Sequence, residues 1–130
     1  MTIFISTTSP TASFKESKLE QAITQMAVKL AKERSTGSLP QGPSLDINFL
    51  VPGKYEKPDF TGMRMGNYDE EQTTLYFERF VPDRLLESDE AEEFVKLVLE
   101  DVVDNAASFF AEHKVNFDIK SWQRTLSTLN

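Results

Sequence analysis

The chain has 130 residues, a net charge of −7, 39% hydrophobic residues with ten phenylalanines, and no cysteine. That length is one domain, able to bury roughly two thirds of the surface it exposes when unfolded. The composition excludes a disordered chain, disulfides, thiolate metal sites and cysteine nucleophiles.

Residues 2–6 alternate weakly and read as a short strand, followed by a Ser/Thr/Pro loop. Ser13 with Glu16, and Ser17 with Glu20, have capping-box spacing. Leu19, Ala22, Ile23, Met26, Ala27, Leu30 and Ala31 then recur at three and four, one apolar face of a helix over 14–34. Residues 35–44 form a Pro/Gly loop. Leu45, Ile47, Phe49 and Val51 alternate with Asp46 and Asn48, the plainest strand pattern in the chain. Residues 53–61 read as a polar and aromatic loop, Met63 to Met65 as a strand, and Asn67 to Gln72 as a charged turn. Thr73 to Val81 is β-branched and aromatic, hence a strand.

Asp89 and Glu92 form a further capping-box pair ahead of a helix from Ala91 to about His113. Phe94, Val98, Val102, Ala106 and Phe109 make one stripe on it. Val95, Leu99, Val103 and Phe110 make a second, and Leu97 widens the arc. Such a helix needs cover on more than one side. Asp118 fits an N-cap, with Phe117 and Trp122 at staple spacing around it, for a last short helix carrying Ile119, Leu126 and Leu129. The order β-α-β-β-β-α-α makes one α+β domain over 1–130. The expected sheet is an antiparallel meander of the three central strands, with both long helices packed on one face.

No apolar run approaches the ~18 residues of a membrane span, and the first residues lack the basic and apolar regions of a signal peptide. A cytoplasmic protein is expected. Residues 1–68 hold eight Lys/Arg against six Asp/Glu, residues 69–104 three against thirteen, and residues 105–130 three against two. The acidic middle repels phosphate backbones, which argues against direct nucleic-acid binding. It suits a basic partner, or else simply keeps the chain solvated.

Chemistry is hard to assemble from these residues. The one histidine, His113, stands near a helix end, where the dipole favours it on structural grounds. No HExxH, GxGxxG, GxxxxGK[ST], GxSxG or EF-hand pattern is present. The helical acids read as a solvated face, so no catalytic residue, metal ligand or cofactor is assigned. Aromatics beside charge are the better signal, because tyrosine and arginine anchor interfaces. The candidate partner-binding residues are Tyr55, Asp59, Arg64, Tyr68, Asp69, Glu70, Glu71, Glu90 and Glu93. Tyrosines lying flat on the surface, with Phe60 in the core, are the plainer alternative.

The stretch VPGKYEKPDFTGMRMGNYD between a strand and an aromatic strand, followed by a long acidic helix, resembles immunity proteins of bacterial polymorphic-toxin and contact-dependent growth inhibition systems. That resemblance implies a cytoplasmic, non-enzymatic protein that binds a cognate toxin domain and blocks its active site. A basic, nuclease-type toxin would match the acidic segment. The alternative is a small acidic secretion chaperone or adaptor, with a second copy of the chain covering the second stripe of the long helix.

Overall fold

A computed structural model describes residues 3–8, 17–35, 43–50, 62–85 and 87–128. The elements are β1 (Ile3–Thr8), α1 (Lys18–Ser35), β2 (Ser44–Leu50), β3 (Met63–Asp69), β4 (Thr74–Phe80), a short 3-10 turn (Asp83–Leu85), α2 (Ala91–Glu112) and α3 (Ile119–Thr128). The chain is α+β.

The sheet is mixed, which corrects the antiparallel meander. Its order is β1-β2-β4-β3. β2 runs parallel to both β1 and β4, and only β3 and β4 pair antiparallel. Two causes account for this. α1 carries the chain back along the sheet between β1 and β2, so those strands run in one direction. Centre positions go to the most apolar strands. Leu45, Ile47 and Phe49 of β2 and Leu75 and Phe77 of β4 are buried, whereas β3 (MRMGNYD) is exposed from Arg64 to Asn67 and lies at an edge. A shift in register between Met65 and Tyr68 bends that edge. β3 also runs on to Asp69, past the point where a turn was expected, because Tyr68 and Asp69 still pair with Leu75 and Thr74.

α1 and α2 cover the face formed by the odd-numbered residues of β2 and β4. α1 buries Leu19, Ala22, Ile23, Met26 and Leu30 and leaves Ala31 exposed. Ser17 Oγ accepts the Glu20 amide at 3.1 Å, the cap its spacing implied. The Ser13–Glu16 pair lies outside the described residues. The second stripe of α2 is fully enclosed, since the sheet, α1 and α3 of the same chain bury Val95, Leu99, Val103 and Phe110. No second copy is needed to cover it. Among the described residues, no helix is long and apolar enough to cross a membrane.

The starts of α3 and α2 are held differently, the first by local contacts and the second in part by a distant one. Asp118 caps α3, accepting the Ser121 amide at 3.1 Å and the Ser121 hydroxyl at 2.7 Å. Phe117 stacks on Trp122 across that cap with centroids 6.4 Å apart. Trp122 Nε1 is buried without a hydrogen-bond partner among the described residues. The start of α2 differs from expectation. Its N-cap is Glu90, which makes no side-chain cap. Asp89 instead pairs with Lys18 at 2.6 Å, and Ser88 Oγ takes the Glu90 amide at 3.0 Å.

Candidate protein-binding surface

The expected binding residues fall into separate places. Tyr55 and Asp59 lie outside the described residues. Arg64 crosses from β3 to β4, its Nε and Nη2 donating to Glu78 Oε1 at 3.2 and 2.6 Å. Tyr68 is half-buried. Its ring meets Phe109 and Phe110 of α2 edge-on, at centroid distances of 5.2 and 5.7 Å. It faces the core side of the sheet because it pairs with Leu75, so it is not the free surface anchor its neighbours in sequence suggested.

Asp69, Glu70 and Glu71 belong to the tight β3–β4 turn. Asp69 Oδ1 accepts the amides of Glu71 and Gln72 at 3.0 and 3.2 Å, so its carboxylate shapes the turn. Thr73 closes the turn at φ 51°, and its carbonyl accepts the Ser44 amide of β2 at 2.8 Å. Glu70 and Glu71 are left pointing outward, exposed and with no ion pair to any described residue.

Glu90 and Glu93 stand at the opposite end of the molecule's long helix. Tyr68 touches Phe109, and residues 93 and 109 are about 24 Å apart along an α-helix. The acids of the turn and those of the α2 start are therefore two patches, close enough to share one interface of ordinary size but not one pocket. Glu90 and Glu93 are also exposed without an ion pair to a described residue.

Around Glu90 and Glu93 the structure assembles a group that periodicity alone did not bring together. Arg79, Arg84, Glu90, Glu93, Phe94 and Leu97 line a cleft of about 430 Å³ between α2 and the segment after β4. Arg79 comes from the helix-facing side of β4, in register with Phe49. Its guanidinium lies 5.0 Å from the centroid of the Phe94 ring, and Nη1 donates to Phe80 O at 2.6 Å. Burial lowers its proton affinity, and the Asp101 carboxylate opposes that shift. Leu97 is 50% exposed at the mouth of the cleft. The available signal was Leu97 itself, a large apolar residue of α2 that belongs to neither stripe.

His113 caps α2, its ring stacked on Phe109 at 4.0 Å and its Nδ1 2.9 Å from Phe109 O. That geometry is structural. Among the described residues, no three His, Cys, Asp or Glu side chains are grouped to hold a metal ion. What this arrangement offers chemically is negative charge and apolar contact presented together. Comparison with protein-family models, curated proteins and solved structures yields no match for this chain.

Proposed function

We propose that this is a non-enzymatic protein-binding protein, an immunity protein that neutralises a cognate, basic, nuclease-type toxin in the cytoplasm by binding over its active site. The observation that supports this reading is the set of exposed carboxylates at Glu70, Glu71, Glu90 and Glu93, which have no ion pair with a described residue and stand on a hairpin turn and a helix. Fixed acids on a hairpin turn and a helix can steer a basic protein and stand in for its anionic substrate. The resemblance of residues 51–69 to immunity proteins, in its Tyr, Pro, Asp and Gly texture, motivates the same reading.

The test is a search of the neighbouring genes for a secreted protein, followed by co-expression with the C-terminal domain of any that is found. Growth protection and co-purification of the pair are expected. Neither occurring would sink the proposal. The chaperone or adaptor alternative needs a stable homodimer. Its original motive, an uncovered stripe on α2, is weakened by the burial of that stripe within one chain. A single monomeric species by sedimentation at micromolar concentration would count against it.

A further inference from the structure

Acids alone attract many partners and select none of them. The cleft beside Glu90 and Glu93 supplies what selection requires, an apolar floor fixed in position. Phe94 is half-buried, held from below by the Arg79 guanidinium, and Leu97 projects half-exposed beside it. A cleft of about 430 Å³ has room for one large side chain and its neighbours.

The chain around it is mainly negative, although Arg84 also lines the cleft. Residues 84–101 contain seven acids (Glu87, Asp89, Glu90, Glu92, Glu93, Glu100 and Asp101) and two bases (Arg84 and Lys96). Only Asp89 among those acids has an ion pair with a described residue. Arg79 is turned inward, against Phe94 and the Phe80 carbonyl, so it adds little positive potential at the mouth. An apolar seat edged by Glu90 and Glu93, neither of which has an ion pair with a described residue, complements a bulky apolar side chain flanked by lysine or arginine.

We propose that this cleft is the specificity-determining docking site of the chain, and that it takes a partner segment in which a leucine-sized or aromatic anchor is followed by a basic residue. Leu97 and Phe94 seat the anchor, and Glu90 and Glu93 receive the cation. This rests on the protein-binding reading above, but not on the partner being a toxin.

The test uses the full chain and a short amidated peptide of alternating lysine and leucine, with a lysine–serine peptide of equal length as the charge control. Amide shifts are followed by NMR. Saturable shifts centred on Arg79, Glu90, Glu93, Phe94 and Leu97 are expected. The lysine–serine peptide should bind about tenfold more weakly or worse, the loss of one anchor. Leu97→Ser should weaken the lysine–leucine peptide by a similar factor with an unchanged melting temperature, since Leu97 is half outside the core. Glu90→Gln with Glu93→Gln should weaken it mainly at low salt.

Equal binding of both peptides, with shifts spread along the acidic helix, would overturn the proposal in favour of unspecific electrostatics. Shifts centred elsewhere, or affinity untouched by Leu97→Ser, would overturn it as well. Concentration-dependent sedimentation abolished by Leu97→Ser would show that the occupant is a second copy. Larger shifts with inorganic phosphate would make the cleft an anion site through Arg79 and Arg84. Peptide binding without growth protection would keep the cleft and remove the toxin; protection unaffected by Leu97→Ser would do the reverse.

Discussion

Lys114 holds φ at 57°, the left-handed region, immediately after the α2 C-cap His113. Val115 N bonds Phe110 O at 2.8 Å and Lys114 N bonds Ala111 O at 3.3 Å, the paired bonds of a Schellman ending. Glycine is the residue that takes this position without a Cβ clash. Lys114→Gly should therefore stabilise the fold, by about 0.5–1 kcal/mol in chemical denaturation; a loss of stability would mean the lysine side chain holds something in place. Asp118 works in the other direction. Hydrogen bonds from the Ser121 hydroxyl and amide hold its carboxyl below the usual carboxylate range. Its contribution is present above the ordinary value and is lost as pH falls through the depressed one. Asp118→Ala should lower the melting temperature at neutral pH and leave it unchanged in strong acid, with the single tryptophan, Trp122, as reporter. Asp46 is half-buried on the far side of β2, and burial raises its proton affinity. A raised folded value favours folding at low pH and costs stability above it. Asp46→Asn should thus raise the melting temperature at pH 7, and the gain should vanish near pH 3.

Elements were legible where local spacing decides them. β2 alternates in sequence and in burial, and α1 follows its three-and-four pattern behind Ser17. The Phe117–Asp118–Trp122 entry to α3 is likewise written within a few residues. Strand order was not legible, because insertion of β4 between β2 and β3 depends on which strands bury most apolar surface, a non-local competition. The cap of α2 was misjudged for a similar reason. Asp89 has the right spacing, but Lys18, far away in sequence, claims its carboxylate. Tyr68 shows the limit for the candidate surface. Its polar neighbours advertise an exposed anchor, while the β3–β4 register turns it onto Phe109 and Phe110. Tyr68→Ala should cost about 2 kcal/mol of stability, less than a fully buried aromatic because the ring is half-exposed. Tyr68→Phe should keep nearly all of it. Binding lost in Tyr68→Phe at full stability would instead assign the hydroxyl to an interface.

At the scale of the whole molecule, what matters is where charge sits relative to the frame. The fold separates the acids of the β3–β4 turn from those at the α2 start, and it sets the second group beside a cleft with Phe94 and Leu97. The two patches should differ when reversed. Glu70→Lys with Glu71→Lys should mainly slow association, and less so at high salt. Glu90→Lys with Glu93→Lys should also speed dissociation, because those acids flank the anchor seat. The most direct measurement is the affinity between this chain and the C-terminal domain of a secreted protein found encoded beside it, by calorimetry at physiological salt. The account predicts a tight one-to-one complex that the reversal at Glu90 and Glu93 weakens by about a hundredfold or more, the scale of two hot-spot contacts. No complex, or a complex indifferent to that reversal, would contradict it.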